Sequence, residues 1–210
     1  MPEPVTAGRR RRTQAERRAT TRAALLDAAL ACLIEDGYAG LTTRRVAERA
    51  GVSQGTQMHY FPTRARFVAE AVRHVAFRLD AELRERDALR AHTDRRRLEE
   101  LLDHVWEIHT GPMFQATMEL WVAARTDEEI KAEMDAVERD VSRLIRDGAA
   151  ELFPALMQRP RGVELLEMSL AVMRGLAMLR FTGEPEEVAR RWRRARTHLL
   201  ELYNAMWDRA

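Results

Sequence analysis

The stretch GVSQGTQMHYFPTR, Gly51 to Arg64, decides how this 210-residue chain is read. Gly51 ends whatever precedes it, because glycine alone takes a positive φ without strain. Ser53 suits the N-cap of a new helix, its hydroxyl accepting a backbone N–H further on. Pro62 pushes the residue before it out of helical angles, so that helix runs for only about seven residues. A helix this short does not hold itself together. Gln54, Thr56, Gln57 and His59 make it polar, and Phe61 returns the chain to a core. A short polar helix braced by its neighbours is a surface that meets something with hydrogen-bonding edges.

The residues upstream supply the brace. Thr42 or Thr43 caps a helix reaching about Ala50, with Val46 and Ala47 inward and Arg44, Arg45 and Arg49 largely outward. Ala47 is small where the following helix crosses, and Val52 fills the angle between the two. Before them a longer helix is predicted over Thr13–Asp36. Its stripe of Leu26, Ala29, Leu30, Leu33 and Ile34 repeats at helical spacing, and Gly37 closes it as a left-handed cap. Two short helices joined at Gly51-Val52-Ser53 behind a longer one form a helix-turn-helix pattern. Such a unit presents its last helix to the major groove of duplex DNA, where Gln and Thr hydrogen-bond base edges.

The charge distribution agrees. Residues 1–66 hold 12 Arg against 6 acidic residues, whereas the remaining chain has 23 basic and 27 acidic residues. A basic head on an acidic body suits a polyanionic partner. Residues 1–12, ending in Arg9–Arg12, read as a disordered basic arm. It either adds sequence-blind affinity for DNA or serves only as a solubilising tail.

From Gly37 to Val72 the chain reads GYAGLTTRRVAERAGVSQGTQMHYFPTRARFVAEAV and resembles the TetR family of transcriptional regulators. The resemblance implies an all-α homodimer. Residues 13–62 would form the helix-turn-helix DNA-binding domain and residues 63–210 a helical ligand-binding and dimerisation domain. It further implies a repressor that binds an inverted-repeat operator and is released by a small-molecule effector. Carried onto this chain, DNA contacts fall at Thr43 and Arg44 on the second helix. Others fall at Ser53, Gln54, Gly55 and Thr56, and at His59, Tyr60, Thr63 and Arg64 at the exit. Gln57 and Met58 depart from the family pattern of an apolar residue followed by Tyr. Gln57 is placed either as a base reader or as a partly buried, hydrogen-bonded residue, with Met58 packing.

Further helices are predicted over residues 63–90, 94–109, 112–125, 127–153, 161–181 and 185–207, punctuated by Gly111-Pro112, Thr126-Asp127, Pro154, Pro160 and Gly183. Val188, Trp192, Ala195, Leu199, Leu202 and Met206 alternate steps of four and three along the last helix, a packing seam. The preceding helix is apolar on two sides, one of which carries Leu176 and Leu179. A second copy of the chain is a natural cover, giving a twofold four-helix interface, although the centre of a monomer would show the same pattern. Trp106, His109, Phe114, Met118, Trp121 and Met173 either line an adaptable apolar pocket or form ordinary core. Arg174 stands charged among them, paired with an acid such as Glu119 or receiving an acidic ligand group.

Other classes find little support. His104 and His109 in HVWEIH are five residues apart and do not share a helix face, so no metal site is expected. There is no glycine-rich phosphate loop, no Gly-x-Ser-x-Gly and no paired cysteine, so neither an enzyme nor a cofactor is expected. The single Cys32 lies in an apolar stripe and reads as a small buried hydrophobe. No run of 18 apolar residues is present, and a cytoplasmic location is expected. The competing class is a helical small-molecule carrier that does not bind DNA, against which the polar third helix speaks.

Overall fold

The computed structural model describes residues 13–85 and 93–208. The predicted basic arm over residues 1–12 lies outside the described residues, as does the predicted end of the helix over residues 63–90. The described residues form ten α-helices and one 3-10 turn. The helices are α1 (Gln14–Gly40), α2 (Thr43–Ala50), α3 (Gln54–Tyr60), α4 (Arg64–Glu85), α5 (Asp94–Thr110), α6 (Pro112–Ala124), α7 (Glu128–Leu152), α8 (Pro154–Met157), α9 (Gly162–Met178) and α10 (Pro185–Asp208). No helix among the described residues is long and apolar enough to cross a membrane.

Helix starts follow the caps written in the sequence. Thr13 and Glu16 form a reciprocal capping box, and Thr42, Ser53, Thr93 and Asp127 each accept a backbone N–H at the head of their helix. Pro112 and Pro154 open α6 and α8, where a missing N–H costs nothing. The single turn of α8 falls where only a break at Pro154 was predicted.

Two differences on α1 have physical causes. Its buried face is Leu25, Leu26, Ala28, Ala29, Cys32 and Leu33, and Ile34 is exposed. Gly37 does not end the helix as a left-handed cap. At φ 67° and ψ 178° it kinks the backbone, and one further turn follows to Gly40. That region of backbone space is essentially open to glycine alone. The kink frees the Tyr38 amide, which donates to the Glu119 carboxylate of α6 at 2.6 Å. A β-carbon on Gly37 would lie 2.5 Å from a Glu119 oxygen, so the absent side chain makes the seat for the carboxylate.

One apolar core joins α1–α4 to α6 and α7, from Leu25 through Phe67 to Leu120 and Ile130. A second joins α5, α8, α9 and α10 around Leu102, Phe153, Met173 and Trp192. A line of ion pairs crosses the first core's edge. Arg22 meets Glu70 at 2.6 Å, Glu70 meets Arg73 at 2.7 Å, and Arg73 meets Asp140 at 2.8 Å, linking α1, α4 and α7. The first three helices are thus continuous with the body through α4 and α6, not tethered by a loop.

Candidate nucleic-acid interface and central cavity

Gly51 takes φ 68° and ψ 31°, and its N–H returns to the carbonyls of Ala47 and Glu48. Val52 N–H bonds the Ala47 carbonyl at 3.0 Å, closing the turn between α2 and α3. Two arginines fix α2 to the end of α1: Arg45 meets Asp36 at 2.9 Å, and Arg49 donates twice to Glu35 at 2.5 and 2.7 Å. The Arg49 hydrogen bonds hold the Glu35 carboxyl below its ordinary pKa. Arg44 stays open on the surface and reaches Glu48 at 3.4 Å.

Ser53 accepts the Thr56 N–H at 3.1 Å and its hydroxyl lies 2.9 Å from that of Thr56. Gln54 is exposed and touches Thr43 on α2 at 3.4 Å, so the two helices present one polar ridge. Gly55 and His59 are exposed beside it, and Thr56 is half-buried. Tyr60 donates to the Arg18 carbonyl at 3.4 Å, pinning the end of α3 to α1. Thr63 caps α4 by accepting the Arg66 N–H at 3.2 Å.

Two residues placed among the DNA contacts lie off the open surface. Gln57 has no solvent exposure and donates its amide to the Phe61 carbonyl at 3.2 Å, the buried, hydrogen-bonded alternative of the two read for it. Its neighbour Met58, expected to pack, is 55% exposed. The amide takes the inward place of the family's apolar residue because it finds a partner inside. Arg64 is half-buried, and its guanidinium sits 3.9 Å above the Tyr38 ring with two nitrogens shut off from solvent. A desolvated cation over a ring contributes up to about 2 kcal/mol. Arg64 therefore braces the joint between α1 and α4. Burial raises the Tyr38 hydroxyl pKa, with the Arg64 charge opposing.

Between the two cores lies a cavity of about 220 Å³. It is larger than the roughly 150 Å³ apolar cavities that admit benzene. Of the seven predicted pocket residues, His109, Phe114, Trp121, Met173 and Arg174 line it. Trp106 and Met118 do not. Trp106 stacks on Trp192 at 4.8 Å, and Met118 packs against Phe114 and Ala177. Arg174 pairs with Glu138 on α7 at 3.0 Å and lies 5.3 Å from the Trp121 ring, so its partner is not Glu119. Glu119 is on the other side of α6, at Tyr38. His109 is buried with Nδ1 2.8 Å from the Val105 carbonyl, which fixes that nitrogen as the donor in the neutral ring. Burial pulls its pKa below 6.5, the backbone carbonyl opposes, and the Arg174 charge adds to the lowering.

The predicted interface residues also divide. Trp192 and Leu199 are buried in their own subunit's core, so neither offers surface to a second copy. Both fall on the inward side of α10 because Trp106 and Leu102 of α5 cover them. Leu179 and Leu202 are exposed, and Leu176 and Met206 are half-buried. Met168, Met178 and Phe181, absent from the predicted set, extend the exposed apolar face. Nothing lies within 4 Å of a β-carbon placed on Gly175, in the middle of that face.

An all-α chain whose first three helices form a braced helix-turn-helix defines a class: DNA-binding regulators of transcription. Residues 25–71 match the family described as bacterial regulatory proteins, tetR family. An uncharacterised HTH-type transcriptional regulator of Mycobacterium tuberculosis is 36% identical over 148 residues, 68% of this chain and 75% of its own. The HTH-type transcriptional regulator CymR of Pseudomonas putida is 30% identical over 92% of this chain and 94% of its own. A transcriptional regulator from Rhodococcus sp. Rha1 superposes with a TM-score of 0.64 at 25% identity, over 88% of this chain and 94% of its own. The multidrug binding protein EbrR, solved with ethidium, superposes with a TM-score of 0.60 at 20% identity, over 89% and 98%. The chain belongs to the TetR family of transcriptional regulators.

Gln54→Ala is expected to weaken binding at one base pair by about 1–3 kcal/mol while leaving other positions unchanged. Gln57→Leu is expected to alter stability by no more than about 1 kcal/mol and to leave sequence preference intact. Affinity measured across a set of single-base operator variants checks both. A shifted preference in Gln57→Leu contradicts its inward placement.

The buried neutral His109 sets a pH dependence. A base whose pKa is lower folded than unfolded stabilises fully above the unfolded value and loses that contribution as pH falls toward the folded one. Melting temperature is therefore expected to drop as pH is taken below 6.5, and to drop less steeply in His109→Asn. Parallel slopes in the two proteins would show that folding leaves the His109 pKa unshifted.

Proposed function

We propose that the chain acts in the cytoplasm as a homodimeric repressor. Residues 13–62 form the reading head, and the helices beyond form the body that binds an effector and pairs with a second copy. Each subunit lays α3 in the major groove, with Gln54 and Thr56 toward base edges and Thr43, Arg44, Ser53, Gly55, His59, Tyr60 and Thr63 positioning it. Twofold pairing through Leu179, Leu202 and their exposed neighbours makes the operator an inverted repeat. The observation that carries this reading is the polar, exposed face of α3, held in place by α1, α2 and α4.

A small, largely apolar molecule in the central cavity is the proposed effector. EbrR, a multidrug binding protein solved with ethidium, shares the fold, which supports a small-molecule effector for a chain of this fold. The cavity and the reading head meet at α6. One side of that helix presents Phe114, Thr117 and Trp121 to the cavity, and Glu119 holds the Tyr38 amide of α1. A ligand that moves α6 thereby shifts the reading head, and release follows if the ligand binds the shifted state more tightly.

Selection of bound fragments from genomic DNA with the purified chain tests the proposal. The expected result is a motif of two inverted half-sites, bound by two chains, and weakened by some apolar compound that also raises the melting temperature. Leu202→Arg is expected to give a monomer that binds the full site at least tenfold more weakly. A single asymmetric half-site bound by one chain would contradict the repressor dimer.

A further inference from the structure

We propose that Met58 reads a thymine: its thioether side chain meets the 5-methyl group of one thymine in each half-site. The inference rests on the reading that α3 enters the major groove, and it assigns one feature of the sequence α3 selects.

Rotation of α3 about its own axis is fixed from the inside. Gln57 is fully enclosed and bonded to the Phe61 carbonyl, and Phe61 is itself buried and stacked on Phe67 at 4.4 Å. Successive residues of an α-helix are about 100° apart. With Gln57 inward, the outward arc holds Gln54, Gly55, Met58 and His59, which are the exposed residues of this helix. Met58 is the one exposed large apolar side chain among the described residues of α2 and α3. It follows Gln54 by four residues and so stands beside it on the same ridge. Gly55 leaves the neighbouring surface clear, since a β-carbon there would approach only the Ser53 hydroxyl, at 3.9 Å.

The chemistry selects the base. Three of the four bases present only hydrogen-bonding groups in the major groove, whereas thymine adds a methyl. A thioether has almost no hydrogen-bonding capacity, so it cannot replace the water it displaces from a guanine, adenine or cytosine edge. Against a methyl it loses nothing and buries apolar surface from both sides. Its unbranched chain adapts to small differences in approach, unlike a tyrosine ring at the same place.

Operator duplexes in which thymines are replaced one at a time by deoxyuridine separate this contact from every other. The replacement removes a methyl and keeps pairing, charge and hydrogen-bonding edges. Wild-type protein is expected to bind roughly fourfold more weakly when the one critical thymine of a half-site is replaced, the loss set by burial of a single methyl. Met58→Ala is expected to bind the thymine and uracil duplexes equally, and Met58→Leu to restore discrimination. Unchanged melting temperatures show that both variants fold. The inference is overturned if no single thymine matters to the wild type, or if Met58→Ala discriminates as the wild type does. An equal loss for Met58→Ala on all duplexes places the side chain on the sugar-phosphate backbone and also overturns it. Failure of the wild type to select any duplex refutes the DNA-reading role of α3, and the thymine contact falls with it.

Discussion

Seven residues of helix contain too few internal hydrogen bonds to hold a shape in water. What fixes α3 is the removal of two side chains from water, its own Gln57 on the inner face and Phe61 at its exit. The Gln57 amide closes onto the Phe61 carbonyl, and the Phe61 ring stacks on Phe67 of α4. The Arg22 guanidinium also lies over the Phe61 ring, 5.6 Å from its centre. Because this anchor sits on the inner face, every other α3 residue has its direction set by helix geometry alone. The polar arc that results is rigid without any contribution from DNA, which lowers the ordering cost of binding.

The second constraint lies at the kink in α1. Gly37 adopts an orientation closed to other residues and leaves room for a carboxylate from α6. Tyr38 then faces Glu119 through its amide and Arg64 through its ring, so α1, α4 and α6 meet at one residue. The joint is charged and partly exposed, unlike the core on either side of it. Such a contact breaks at lower cost than a packed apolar face deforms. That property suits a link between a cavity and a reading head.

Much of the fold was legible in the sequence because helix punctuation is local. The cap at Ser53, the left-handed turn at Gly51, and prolines at 62, 112 and 154 depend on neighbouring residues only. The polar reading helix was legible for the same reason. Residues whose role depends on rotation or on a distant partner were not. Gln57 and Met58 differ by 100° of helix turn, and no local signal says which points inward. Arg174 finds Glu138, and Glu119 finds Tyr38, across separations in sequence that periodicity does not encode. Trp192 and Leu199 fit the heptad spacing of an interface, but heptad spacing is equally satisfied by a helix packed on its own subunit. Leu202 lies on the seam that the spacing marks, whereas the exposure of Met168 and Met178 depends on α5 covering the opposite side of their helix.

A crystal structure of the chain on its selected duplex tests the central claim most directly. The account predicts two α3 helices in successive major grooves on one face of the DNA, about 34–36 Å apart. Gln54, Thr56 and Met58 would face base edges, with Gln57 still closed onto the Phe61 carbonyl. Gln57 turned outward to a base, or α3 lying away from the groove, would contradict it.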